Sequence, residues 1–224
     1  MTTIHTADDT RERLIRAAGE EFARRGFYEA SVRTICRAAG ANISAIKYHF
    51  GSKDGLYEQV VSTARGQMCG GAELPLMGEG DDPERALQHW MVWFLDLLLV
   101  TESEAHPWMG EILTHEMIRP TRFLDEFAEH TGRPIHHEAV RIIGRILPAG
   151  ASERELTVLA NGLISLCVTQ KHCGTMLSRL GSPPPRTPEA VLEMAEILSR
   201  FAIQGLRGFT RWDARSDRGE GAAL

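Results

Sequence analysis

The sequence predicts an all-α protein of about nine helices, divided into a small N-terminal and a larger C-terminal helical domain. Three observations carry this. Apolar residues recur every three or four positions, and no stretch shows the period-two alternation of a half-buried strand. Ser, Asn and Gly stand at the ends of the periodic runs, where helix caps belong. One stretch, Gly70–Pro83 ("GGAELPLMGEGDDP"), is dense in turn-formers and acids and separates the two halves.

The first helix is "RERLIRAAGEEFARRG", where Leu14, Ala18 and Phe22, with Ile15 beside them, make a one-sided apolar stripe. Asp9 or Thr10 is placed to cap its start, and Gly26 to end it in a left-handed conformation. Ser31 caps a short second helix with Val32, Ile35 and Ala39 inward, and Gly40 breaks it after about two turns. Asn42 caps a third, "ISAIKYHF", with Ile46 and Phe50 inward and Gly51 at its end. Ser52 caps a fourth, running from Lys53 to about Cys69. Beyond the loop, helices are expected near Glu84–Thr101, Pro107–Ile118, Thr121–Leu147, Ser152–Leu180 and Pro188–Phe209. Gly132 and Pro134 should kink or split the third of these, because proline lacks the donor and crowds the preceding turn. "GSPPPRTP" (Gly181–Pro188) reads as a stiff loop. The expected organisation is an arm at 1–9, a DNA-binding unit at 10–52, a connecting helix at 53–69, a flexible loop at 70–83, a C-terminal domain at 84–212 and a disordered tail at 213–224.

Composition narrows the function classes. The apolar fraction of 43% is that of an ordinary globular core, and the formal charge is -5. The longest apolar candidate, Trp90–Val100, carries Asp96 and falls short of the roughly 18–20 residues that span a bilayer. The N-terminus has no basic-then-apolar leader, so a cytoplasmic protein with no membrane partner is expected. Cys36, Cys69, Cys167 and Cys173 form no C-x-x-C pair and read as thiols. No G-x-S-x-G, H-E-x-x-H or phosphate loop is present, so neither an enzyme nor a cofactor is expected. Glu111 and His115 share a helical face and His136–His137 follow, but nothing fixes a third ligand, so no metal site is expected either.

Against this acidic background, the window Ser31–Lys53 holds Arg33, Arg37, Lys47 and Lys53 and no Asp or Glu. Two short helices joined by a tight Gly-containing turn, supported by a preceding helix, make a helix-turn-helix. Their outer residues are Arg33, Thr34 and Arg37, then Ser44, Ala45, Lys47, Tyr48 and His49. A phosphate-lined groove asks for donors, cations and small groups, and a carboxylate would be repelled there. The helix N-termini at Ser31, Asn42 and Ser52 offer N–H groups to phosphate oxygens. Lys53 opposes the dipole of the helix it opens, a local misfit that suits a phosphate grip. Spacing alone also fits a plain three-helix bundle with polar outer faces.

The run Thr10–Val61 resembles the N-terminal domain of the tetracycline-repressor (TetR) family of bacterial transcription regulators, through "AAGEEFARRGF", "SVRTICRAAG" and above all "YHFGSKDGLY". The resemblance implies a two-domain helical homodimer whose N-terminal unit reads a double-stranded DNA operator and whose C-terminal domain dimerises and binds a small effector. By matching position it implies that Ser31, Tyr48 and Lys53 hold the DNA backbone and that Arg33 reaches a base or a phosphate. Ser44, Ala45, Lys47 and His49 fall where the family meets base edges. Ile43 and Lys47 depart from the family's usual lysine and tyrosine, so the operator does not carry over. Ile43 either meets a thymine methyl or covers the helix end.

In the C-terminal half, "HWMVWFLDLLL" and "HPWMGEILTHEMIRPTRFLDEF" concentrate Trp90, Trp93, Phe94, Trp108, Phe123 and Phe127, with Ile112, His115 and Glu116 on the same helices. These are the candidate effector-binding residues, because aromatic cavities with a few polar groups hold flat organic molecules. A solid aromatic core is the alternative. The second segment also resembles a smaller branch of the family carrying an "HPW…E…P…F" stretch, which implies a hydrophobic effector. In the last two helices, Leu156, Leu159, Ala160, Leu163 and Cys167 form one stripe, and Val191, Met194, Leu198 and Phe201 another. Both helices are apolar on more than one side and need a second cover, which a partner copy would supply over about 1,500–2,500 Å². Such a dimer would set its third helices in successive major grooves about 34–36 Å apart. Two other readings stand beside this one: a metal-binding or enzymatic helical protein with a DNA-binding unit, and an effector-independent DNA binder.

Overall fold

A computed structural model describes residues 7–71, 73–101, 108–147 and 151–209, and among them every regular element is helical. Of the arm expected at 1–9, residues 1–6 lie outside the described residues, as do the tail at 213–224 and the residues at 102–107, while residues 7–9 open the first helix. The elements are α1 (Ala7–Glu29), α2 (Val32–Ala38), α3 (Ile43–Phe50), α4 (Lys53–Gly71), α5 (Pro83–Asp96), α6 (Met109–Ile118), α7 (Arg122–Phe127), α8 (Arg133–Ile146), α9 (Glu153–His172), α10 (Gly174–Arg179) and α11 (Pro188–Arg207). Two π-helical turns extend this set, Leu97–Thr101 after α5 and Ala128–Gly132 between α7 and α8.

Most boundaries follow the caps. Ser31, Asn42 and Ser52 accept from the backbone N–H of Thr34, Ser44 and Gly55 at 3.4, 3.2 and 3.1 Å. Four expectations need correcting. Asp9 and Thr10 lie inside α1 rather than capping it, and both engage Arg13, at 3.3 and 3.2 Å. Gly26 interrupts α1, but at φ 71 and ψ 169, an extended positive-φ conformation open in practice to glycine alone rather than the left-handed helical one. The segment expected as one helix from Ser152 to Leu180 breaks at Cys173 into α9 and α10. The loop expected to be flexible is anchored: the Met77 N–H donates to Glu138 Oε1 at 2.8 Å, and Arg141 joins Glu138 to the Met77 carbonyl. The split at Gly132 and Pro134 takes a specific form. Proline cannot donate in the ladder, and the chain widens into the π-helical turn, with Pro134 in the first turn of α8.

The N-terminal unit closes over Leu14, Ala18, Phe22, Ile35, Ala39, Ile46 and Leu56, all buried. Its α1 lies along α6 of the C-terminal domain, and the approach is close because Gly19 has no side chain: a Cβ there would stand 2.4 Å from the Trp108 ring. Aromatic rings continue the contact, with Phe22, Tyr57 and Phe123 in edge-to-face sequence at 4.7 and 6.1 Å. Within the C-terminal domain α5 is the central element, burying Leu87, Trp90, Met91, Phe94 and Leu95 between α8 and α11.

Candidate nucleic-acid interface and C-terminal cavity

The turn between α2 and α3 is set by Gly40 at φ +60 and locked from behind, where the Arg13 guanidinium donates to the Ala39 carbonyl at 2.5 Å. This fixes one outward face. Arg33, Arg37, Asn42, Ser44 and Lys47 are exposed on it, and Tyr48 is 81% exposed. Thr34, Ala45 and His49 are half-buried, and His49 meets Tyr48 edge-on at 4.9 Å. Ile43 is half exposed beside them, so it does not close over the helix end. No acid interrupts the face, since Glu29 and Asp54 flank it in sequence. The arrangement presents cations and hydroxyls to a polyanion.

Two of the residues expected to grip phosphate are engaged inside the chain. The Ser31 N–H donates to Glu21 Oε1 at 3.2 Å, so that N–H is already taken. Lys53 Nζ donates to the Tyr28 carbonyl at 3.4 Å and stands 4.9 Å over the Phe27 ring. These contacts explain the dipole misfit without any ligand. Burial lowers the Lys53 pKa, opposed by the charges of Asp54 and Glu21.

The aromatic segment divides between two tasks. Trp108 lies on Gly19, with Ile112 buried one turn along α6. His115 Nε2 is 2.9 Å from the Ala23 carbonyl, and Phe123 meets Tyr57. Glu116, 1% exposed, accepts from the Tyr57 hydroxyl at 2.6 Å and from the Thr121 N–H and hydroxyl at 2.8 and 3.0 Å. Burial foremost, then the bond and charge of Glu116, push the Tyr57 phenol up. Arg122 pairs with Glu58, and Arg119 lies over Tyr28. These side chains join α6 and α7 to α1 and α4, so they occupy the domain junction. A cleft of about 360 Å³ opens beside them, lined by Tyr28, Tyr57 and Phe123 with the carboxylates of Asp54, Glu58 and Glu126.

Trp90 is wholly buried against Phe94, and Trp93 stacks on the same ring. Phe94 and Phe127 are the two candidates that line an apolar cavity of about 190 Å³ enclosed by α5, α6, α8, α9 and the π-helical turns. Ile164, read from sequence as part of the α9 apolar stripe, also lines it, as do Leu98, Leu113, Thr131 and Ile135, which were not singled out, and Lys171 and His172 at the end of α9. The signal was present in α9, where Ile164 and Val168 make the helix apolar on a second side.

The expected dimer residues also divide. Ala160, Leu163, Cys167 and Val191 are buried in their own chain, although Leu163 also lines the groove between α9 and α11. Leu156, Leu159, Met194 and Leu198 are half-buried, and Phe201 is 68% exposed. The open apolar strip runs instead through Val158, Gly162 and Leu166, one turn apart on α9, and across to Phe201 and Gly205 on α11, around a shallow groove of about 370 Å³.

Burial raises the thiol pKa of Cys167 to about 12 and also raises that of Cys36, while Cys173 is exposed. The side chain of Cys69 lies outside the described residues. Iodoacetamide at pH 8 is therefore expected to label Cys173 in the native protein and to reach Cys36 and Cys167 only after unfolding. Peptide mapping by mass spectrometry checks this.

The family profile of the bacterial regulatory proteins, tetR family, matches residues 14–60. That of the C-terminal domain of the HTH-type transcriptional dual regulator CecR matches residues 83–206. The HTH-type transcriptional repressor NicS of Pseudomonas putida is 26% identical over 207 residues, 90% of this chain and 94% of NicS. The HTH-type transcriptional regulator UidR of Escherichia coli is 34% identical over 55 residues, 25% of this chain and 28% of UidR. The TetR family regulator PfmR of Thermus thermophilus superimposes with a TM-score of 0.58 at 18% identity, covering 90% of this chain and 97% of PfmR. The hemolysin II transcriptional regulator HlyIIR does so at 0.56 and 18% identity, covering 84% of this chain and 98% of HlyIIR. These two structural likenesses speak for the fold.

Proposed function

Since the chain belongs to the TetR family of DNA-binding transcriptional regulators, with a C-terminal domain of the CecR type, we propose that it works as a homodimeric repressor released from a palindromic operator by a small apolar effector. The observation that carries this is the acid-free exposed face of α2 and α3 on a chain of charge -5. The relative aligned over most of its length is named a repressor, which supports that sign of regulation. Arg33, Thr34 and Arg37 stand to hold phosphates, with Ser44, Lys47, Tyr48 and His49 at or beside base edges. This role needs no catalytic residue, metal or cofactor, and it places the protein in the cytoplasm with its DNA.

The open strip on α9 and α11 supports dimerisation. Covering an exposed phenylalanine is worth about 1.5–3 kcal/mol, and two-fold symmetry uses each side chain twice. Phe201→Glu is expected to leave a folded monomer that no longer holds a two-half-site operator. Sedimentation velocity and a gel-shift titration read these two effects. Effector release would be a population shift between dimers with different head separations. The junction of α6 and α7 with α1 and α4 is the physical link, because ligand-dependent movement of those helices carries the N-terminal unit with it.

Footprinting the purified protein on DNA upstream of its own gene tests the reading. A protected two-fold symmetric site supports it, and uniform weak protection along the DNA contradicts it.

A further inference from the structure

Two walls of the 190 Å³ cavity are the π-helical turns: Leu97–Thr101 supplies Leu97 and Leu98, and Ala128–Gly132 supplies Thr131 and Gly132. Such turns are rare and are found frequently at functional sites. Pro134 gives a local cause for the turn at Ala128–Gly132, whereas no proline stands beside Leu97–Thr101.

Thr131 gives a second, independent observation. A threonine in a regular helix donates its hydroxyl to the carbonyl four residues back, which here is that of Phe127. In the π-helical turn Thr131 lines the cavity, and its Oγ1 is buried and makes no hydrogen bond within the protein. A buried hydroxyl left unpaired costs about 1–3 kcal/mol, so it marks a place where a partner group belongs. The rest of the lining is largely hydrocarbon, from Phe94, Leu98, Leu113, Phe127 and Ile164, with Lys171 and His172 at the end of α9.

Size and polarity then select the ligand. A cavity of about 150 Å³ with Leu, Ile and Phe walls admits benzene. At about 190 Å³ this one has room for a single ring with a small substituent. A charged group would lose its hydration against these walls. His172, at the end of α9, is already engaged by Thr114 at 2.9 Å.

We infer that this cavity takes a neutral, single-ring molecule with one hydrogen-bonding substituent, of the phenol type, paired with Thr131 Oγ1. The binding stands on the cavity alone, whereas its consequence for DNA rests on the effector reading above.

The test is calorimetric titration of the full-length protein with phenol, toluene and benzoate, on the wild type and on Thr131→Val. Phenol is expected to bind most tightly of the three. Thr131→Val is expected to weaken phenol about 5-fold and to leave toluene unchanged, since one neutral hydrogen bond is lost and the shape is kept. The unchanged toluene affinity also reports that the variant is folded. No binding by any probe, tightest binding by benzoate, or an equal loss for phenol and toluene in the variant overturns the assignment. Operator affinity measured alongside separates the two readings. Phenol that binds through Thr131 without releasing operator supports the site and overturns its role as the effector pocket. Operator release by another compound with no phenol binding overturns the site and leaves the regulator reading standing.

Discussion

Lys47→Glu should lower operator affinity by at least about 100-fold at 0.1 M salt, with the helix content and thermal midpoint of the protein unchanged. Lys47 is exposed on α3, in the middle of the acid-free face. A lost cation contact in a groove costs about 1–3 kcal/mol, and a two-fold complex loses it twice. The reversed charge then adds repulsion from the phosphates. The dependence of affinity on salt should also flatten, because two cations fewer then displace counterions from the DNA. Fluorescence anisotropy between 50 and 200 mM salt reads both effects. Lys53→Met makes the contrast: its ammonium holds the Tyr28 carbonyl and lies over Phe27, so thermal stability should fall together with binding. A folded Lys47→Glu protein that binds operator normally would remove the assigned DNA face.

Glu116→Ala should destabilise the protein by about 3 kcal/mol, because it strands the Tyr57 hydroxyl and the Thr121 N–H in a buried junction. For a chain of this size the midpoint should drop by roughly 6–12 °C. Glu116→Gln keeps an acceptor and should cost about a third as much. Combined with Tyr57→Phe, the alanine variant should lose less than the sum of the two single changes, since the same bond is removed twice. Urea titration of the four proteins measures the cycle, and additive losses would mean that the pair does not tie the domains. The same junction sets an alkaline limit. The folded Tyr57 phenol is held above its ordinary range by burial and by Glu116, so the unfolded chain releases that proton first. Stability from this group is therefore complete below about pH 10 and declines as pH rises beyond it.

Much of the fold was legible because its signals are local. Ser31, Asn42 and Ser52 cap where they stand, and Gly40 and Gly51 take positive φ where a helix must stop. The N-terminal core residues Leu14, Phe22, Ile35 and Ile46 repeat at helical spacing and are buried as that spacing requires. The candidate pocket was less legible. Trp108, His115 and Glu116 carry the chemistry that a ligand site would use, yet they meet α1 and α4. Those partners lie between 59 and 92 residues away in the chain, and no helical period encodes contacts at that range.

By itself, the sequence determined an all-helical chain and an N-terminal face of α2 and α3 from which carboxylates are excluded. Both are properties of side chains a few positions apart. Only the tertiary structure decided that Ala160 and Cys167 turn toward their own domain while Val158 stays exposed, and that two π-helical turns help to line a cavity. A helix apolar on two sides records that it needs two covers. Which cover lies on which side is settled when distant segments compete to pack against it.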